Sequence, residues 1–61
     1  MVIKDNTITD NFDGIVDYQS NNFIYKNKIL QNRNTGIILR SNSQVSKNQI
    51  KNNMYIGVHA L

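Results

Sequence analysis

Apolar residues in this chain recur at long, constant intervals rather than at helical or alternating spacing. Ile3, Ile24 and Val45 are separated by 21 and 21 residues, and so are Ile8, Ile29 and Ile50. Two polar columns keep the same interval of 21: Asn6, Asn27 and Asn48, then Asn11, Asn32 and Asn53. A fifth column, Gly14-Ile15, Gly36-Ile37 and Gly57-Val58, is spaced by 22 and then 21. The residue missing between Asn11 and Gly14, relative to the stretch from Asn32 to Gly36, is restored before Ile24, and an adjustment of that size belongs in a turn. A fixed period of this length marks a repeat architecture in which one unit cannot bury its apolar face without a neighbour.

The unit reads Ile-x-x-Asn-x-Ile-x-x-Asn-x-x-(x)-Gly-Ile-x-x. A polar stretch follows it, Gln19-Ser20-Asn21-Asn22 in the first copy and Ser41-Asn42-Ser43-Gln44 in the second. Asn and Gly return too often for stable helix interiors. Three very short strands per copy fit instead, each with one or two inward aliphatic residues and each followed by a polar corner. Stacked at the strand spacing of about 4.8 Å, such copies build three parallel sheets around a shared core. The predicted fold is all-β: a right-handed parallel β-helix of about three coils of about 21 residues, over approximately 2–22, 23–43 and 44–61. Its inner columns are Ile3/Ile24/Val45, Ile8/Ile29/Ile50 and Ile15/Ile37/Val58. Corner residues must turn the chain sharply, and Asn tolerates the left-handed conformation better than other non-Gly residues. Stacked Asn amides also hydrogen-bond along the axis, as in cross-β structures, so the two Asn columns are expected to be ladders. Gly14, Gly36 and Gly57 mark a column where a side chain would be obstructive.

Composition supports folding and narrows the chemistry. Of 61 residues, 39% are hydrophobic and 18% charged, with 11 Asn and 22 uncharged polar residues in all. Nine Ile and four Val set the chain apart from disordered segments, which combine low hydrophobicity with high net charge. Without cysteine there is no disulfide and no thiolate metal site. No apolar run approaches the roughly 20 residues of a membrane span, and Met1-Val2-Ile3-Lys4 lacks the h-region of a signal peptide. Membrane insertion is therefore not expected. The net charge is +3, but Lys4, Lys26, Lys28, Lys47, Lys51, Arg33 and Arg40 form no run, so nucleic acid is not the expected partner. No N-x-[ST] sequon occurs.

From Ile3 to Val58 these residues resemble a known family. The phrases Asn27-Lys28-Ile29-Leu30-Gln31-Asn32-Arg33-Asn34-Thr35-Gly36-Ile37-Ile38-Leu39 and Asn48-Gln49-Ile50-Lys51-Asn52-Asn53-Met54-Tyr55-Ile56-Gly57-Val58 are similar to the parallel β-helix repeats of NosD-type, carbohydrate-binding and sugar-hydrolase solenoids. The resemblance implies a protein of the cell exterior, cell surface or periplasm, with polysaccharide as partner. The same repeats occur in pectate lyases, uronan epimerases, surface adhesins and a periplasmic protein for copper-enzyme maturation, and fold alone does not choose among them.

Catalytic relatives work on acidic polysaccharides with clustered Asp, Lys, Arg or His, which take a proton and stabilise the developing enolate. Here there is no Asp-Pro-His-Asp phrase and no Gly-His-Gly, and no catalytic residue is assigned. The four acids, Asp5, Asp10, Asp13 and Asp17, all fall in the first coil. They read as solvated turn residues, with a paired-carboxylate or cation site as the alternative. Asp17 aligns with the inward Leu39 and Ala60, where an unpaired carboxylate would cost several kcal/mol. The expected resolution is a bulge that turns Asp17 out and Tyr18 in; the alternative is a functional buried Asp. His59 and Met54 are ligand-type residues, yet two of them are not a site, and no metal or cofactor is expected. His59 stacks over Val16 and Ile38 in an outward column. Tyr18 over Arg40, outward unless that bulge intervenes, and Tyr25 beside Lys4 and Ser46 in another outer column are the aromatic and basic pairs that stand as candidates for carbohydrate contact. The expected function is a non-catalytic β-helix segment, scaffold or polysaccharide-binding. The alternatives are a segment of a polysaccharide lyase, hydrolase or epimerase whose active site lies outside these residues, or a copper-enzyme maturation protein. Three coils stand only about 14 Å tall, so the sequence is expected to be part of a longer β-helix, resting on neighbouring coils or stacking on itself.

Overall fold

A computed structural model of the protein describes residues 1–19, 21–40 and 42–61. Ser20 and Ser41, members of the polar corners named above, lie outside the described residues. The strands are β1 (Val2–Lys4), β2 (Thr7–Thr9), β3 (Ile15–Asp17), β4 (Phe23–Tyr25), β5 (Lys28–Leu30), β6 (Thr35–Leu39), β7 (Gln44–Ser46), β8 (Gln49–Lys51) and β9 (Ile56–Ala60). They form three parallel sheets, β1-β4-β7, β2-β5-β8 and β3-β6-β9. Each sheet takes one strand from each coil, and the chain visits the other two sheets before returning. Such parallel crossovers are right-handed in nearly all proteins. The register is that of the repeat: Ile3 pairs with Ile24 and Ile24 with Val45, Ile8 with Ile29 and Ile29 with Ile50, Ile15 with Ile37 and Ile37 with Val58.

The core lies on the axis and is best sealed in the middle coil. Ile24, Ile29 and Ile37 are 0% exposed, and Ile15 and Leu39 are buried beside them. Ile3, Ile8, Val45 and Ile50, from the coils on either side, pack against this cluster half-covered. Full burial of an aliphatic side chain contributes roughly 1.5–3 kcal/mol, and only the middle coil has a neighbour on both sides to provide it.

The corners use a division of labour that differs from the expectation for Asn. The left-handed conformation belongs to the residue before each ladder Asn: Asp5, Lys26 and Lys47 in one column, Asp10, Gln31 and Asn52 in the next. Asn21 and Asn42 take it at the third corner. The strained φ turns the chain and delivers the following Asn side chain inward, where a planar amide has both its donors and its acceptor usable. Asn27 and Asn32 are 1% and 0% exposed. The Asn27 amide Nδ2 donates to Asn48 Oδ1 (3.0 Å) and to the carbonyl of Ile3 (3.0 Å). Its Oδ1 accepts from the backbone N–H and the Nδ2 of Asn6, both at 3.1 Å. The second ladder repeats this. Asn32 Nδ2 donates to Asn53 Oδ1 (2.8 Å), the Asn32 N–H donates to the same oxygen (3.0 Å), and Asn32 Oδ1 accepts the Asn11 N–H (3.1 Å). The amides are thus structural ladders, and from amide to amide they run one way, each coil donating to the next.

None of the glycines has a positive φ. Their role is close approach. A Cβ on Gly14 would sit 2.5 Å from the Gly36 carbonyl oxygen and 2.7 Å from Ile29 Cγ2; one on Gly36 would sit 2.6 Å from the Gly57 carbonyl oxygen and 2.8 Å from Asn53 Nδ2. The absent side chain leaves room for the ladder Asn and the aliphatic residue of the next coil. At Gly57 the nearest contact is an ordinary 3.6 Å.

Asp17 overturns the expected bulge. It keeps its inward place, in register with Leu39, at 7% exposure, while Tyr18 stays outside. No bulge is needed because donors surround the carboxylate. Oδ1 accepts from Asn22 Nδ2 (2.7 Å) and the Gln19 N–H (3.0 Å), and Oδ2 accepts from the Ser43 hydroxyl (2.8 Å). Hydrogen bonds to a charged acceptor are the stronger kind and replace the lost hydration. Asp13 is likewise engaged, accepting from Asn34 Nδ2 (3.0 Å) and the Thr35 N–H (3.2 Å). Only Asp5 and Asp10 are the exposed turn acids that the sequence suggested for all four.

Two substitutions test this account. Asn27→Asp keeps the shape but replaces two donors by a buried acceptor facing Asn48 Oδ1 and the Ile3 carbonyl. It should cost about 3 kcal/mol or more in chemical denaturation near neutral pH. Burial raises the folded-state pKa of the introduced acid, so the deficit against the parent should shrink as pH falls toward the unfolded value of about 4 and widen as pH rises. Gly36→Ala should cost about 1–3 kcal/mol through overpacking, whereas Gly57→Ala, melted at low micromolar concentration, should lie within about 0.5 kcal/mol of the parent.

Candidate functional site

The outward positions of the sheets carry the candidate chemistry, because strand alternation sends every second side chain to solvent. Tyr18 leaves the end of β3 and is 58% exposed, with the Arg40 guanidinium carbon 5.8 Å from its ring centre. Arg40 is placed by its own backbone N–H, which donates to the Asp17 carbonyl at 3.1 Å. The buried carboxylate of Asp17 and the exposed pair therefore meet at one corner, Tyr18 following Asp17 in the chain and Arg40 bonded to it from the next coil. Tyr25, on β4, is half-buried, with Lys4 Nζ 6.0 Å from its ring centre. Lys4, Tyr25 and Ser46 follow one another across the first sheet in strict register. Both geometries lie within the range of cation–π attraction, worth about 0.5–1 kcal/mol at exposed sites.

The two pairs belong to different sheets, Tyr18/Arg40 at the exit of the β3-β6-β9 sheet and Lys4/Tyr25 on the β1-β4-β7 sheet. They are two outer features and not one cluster. One residue absent from the sequence reading joins the second of them. Phe23, two positions before Tyr25 on the same outward side of β4, is 45% exposed and lies in register with Val2 and Gln44. The signal for it was the inward Ile24 between two aromatics, which puts both rings on one face. Phe12, Met54 and Tyr55 are also exposed, on the corners between the second and third sheets.

His59 pairs with Ile38 across β6 and β9, in the outward column with Val16, and Met54 stands on a corner. Among the described residues no three His, Cys, Asp or Glu side chains converge, and no concave pocket opens. Among them, too, every buried side-chain polar atom has a hydrogen-bond partner. What the arrangement offers chemically is a ribbed, amide-rich outer surface bearing aromatic rings and cations, suited to stacking and hydrogen bonding along an extended ligand.

No curated protein and no solved structure matches the chain. A family model does, the one described as right handed beta helix region, and it matches residues 1–61. That span takes in all nine strands, both Asn ladders and the glycine column. The chain belongs to the right-handed β-helix family.

Proposed function

We propose that the chain is a non-catalytic parallel β-helix segment of an exported or cell-surface protein, a rigid scaffold whose outer face contacts polysaccharide. The observation that carries this reading is the pair of outward aromatic and basic contacts, Arg40 against Tyr18 at 5.8 Å and Lys4 against Tyr25 at 6.0 Å. A sugar ring has an apolar C–H face that lies flat on an aromatic ring, and hydroxyls or carboxylates at its rim that a cation receives. Tyr18 is exposed enough to offer such a face, and Phe23 extends the apolar strip beside Tyr25. The rings stand on strands, or for Tyr18 directly after one, whose register is held by two ladders, so their positions are fixed before a ligand arrives and little ordering is required on binding. The net charge of +3 favours uronate-containing chains over neutral ones.

Glycan-array binding followed by calorimetry tests it. Tyr18→Ala should weaken binding of an acidic polysaccharide about tenfold, and Arg40→Ala about threefold with a flatter salt dependence. Circular dichroism should remain unchanged, since both side chains lie outside the core. Binding indifferent to Tyr18→Ala, Arg40→Ala and Tyr25→Ala would remove this face from the contact. Release of an unsaturated uronate product would replace the scaffold reading with the lyase one.

A further inference from the structure

Asp13 has a neighbour that no other acid or amide of the chain has. Of the four Asp and 11 Asn, it is the single one followed by glycine; the other two glycines follow Thr35 and Ile56. A backbone amide on a bare Cα is the least hindered nucleophile that a chain offers to the side-chain carboxyl before it. The fold itself imposes this pairing. Gly14 has no room for a side chain, since a Cβ there would sit 2.5 Å from the Gly36 carbonyl oxygen and 2.7 Å from Ile29 Cγ2. The corner before it is one residue shorter than its counterparts, with Gly14 three positions after Asn11 but Gly36 four after Asn32 and Gly57 four after Asn53. Asp13 therefore adjoins Gly14 directly, where the later coils place Thr35 and Ile56.

The second coil holds both reacting groups. Asp13 Oδ1 accepts from Asn34 Nδ2 at 3.0 Å and from the Thr35 N–H at 3.2 Å, and the Gly14 N–H donates to the Thr35 carbonyl at 2.9 Å. Thr35, the first residue of β6 and 1% exposed, thus clasps Asp13-Gly14 with both of its backbone groups. An amide bonded to a buried carbonyl gives up its proton only when that bond opens, and the same opening frees the carboxyl to swing toward it.

We propose that Asp13-Gly14 is a self-modification site, an isoaspartate junction kept closed by the start of β6. When the clasp opens, the Gly14 nitrogen attacks Asp13 Cγ. The new N–C bond forms as a carboxyl C–O bond breaks, and one water leaves, made of the carboxyl OH and the amide hydrogen. Water then adds to the five-membered imide. Cleavage of its N–Cγ bond regenerates Asp13; cleavage of its bond between nitrogen and the Asp13 main-chain carbonyl leaves the chain running through Cβ and Cγ. No electrons change hands, and water is the only co-reactant. The isoaspartyl chain is longer by one C–C bond, about 1.5 Å. A glycine column in which a single added Cβ already meets an oxygen at 2.5 Å has no slack for it. Ile15 then loses its place over Ile37, and Thr35 loses its two-sided hold. Modification is a one-way exit from the fold, and the clasp sets how often it is taken.

Peptide mapping of the aged 61-residue chain, with electron-transfer fragmentation to separate aspartyl from isoaspartyl residues, decides it. In denaturant isoaspartate should gather at Asp13 and not at Asp5, Asp10 or Asp17, which precede Asn6, Asn11 and Tyr18. In buffer the same conversion should run at least about tenfold more slowly. Across sub-denaturing urea concentrations its rate should rise in step with hydrogen exchange at the Gly14 N–H. Asn34→Ala, which removes one bond to the carboxylate, should speed conversion in buffer roughly threefold while the β5 amides keep their exchange rates. Equal rates in buffer and in denaturant overturn the proposal. So does conversion spread evenly over the four acids, a rate indifferent to Gly14 exchange, or an Asn34→Ala chain that ages like the parent.

Discussion

The asparagine amide is the one interaction on which the rest of this structure depends. A chain that turns three times in about 21 residues must break its hydrogen-bonded ladder at each corner, and the broken corner faces the core, where no water replaces the missing partners. An inward Asn solves this with a single side chain, because its two donors and its acceptor lie in one plane along the stacking direction. Asn27 accepts two bonds from the coil below, donates one to the coil above, and closes a fourth onto the Ile3 carbonyl. No other residue of that size has both functions; Asp lacks the donors, and Leu lacks both. The sheets, the aliphatic columns and the close-packed glycines all presuppose the axial spacing that these amides hold.

How legible this was depended on whether a feature repeats. Columns with three members, such as Ile8/Ile29/Ile50 or Asn11/Asn32/Asn53, are visible as a spacing, and the strand register follows from them residue for residue. The outward aromatic and basic pairs followed from that register too. Features that occur once were not legible. Asp17 stands in a column with Leu39 and Ala60, and what makes a carboxylate acceptable there is Asn22, five residues on, and Ser43, 26 residues on, neither of which any pattern connects to it. The left-handed corner residues were hidden for another reason. Asp5, Lys26 and Lys47, like Asp10, Gln31 and Asn52, share a backbone conformation but no common side chain, so no one residue type announces it. The conformation is imposed by the tertiary demand for an inward Asn at the next position, at a local cost of about 1–2 kcal/mol per residue.

The surface this architecture offers to a partner is its outside, since the interior is filled by side chains from all three sheets. The same stacking makes the outer positions a fixed ruled surface, with a row every coil and two or three outward side chains per row. Lys4, Tyr25 and Ser46 share a column but not a chemistry, which shows how freely these positions vary while the inward columns stay constant. A ligand that is itself a repeating polymer meets a surface with its own period, and the polar amides and occasional rings can engage it at several points at once.

The constant interval also governs how such a fold forms. Each amide-to-amide ladder bond joins residues 21 apart and the strand pairings join residues 21 or 22 apart, so every coil closes a loop of nearly the same length. By polymer statistics that closure costs about 3 kcal/mol of chain entropy, plus a constant, before the first contact returns anything. A second coil that meets an existing template has its register already chosen. Folding is thus a slow nucleation, whose barrier lies in joining two coils, followed by faster growth along the axis. The rate should therefore be set by whichever neighbouring pair of coils first buries its three aliphatic columns, and not by the number of coils that follow.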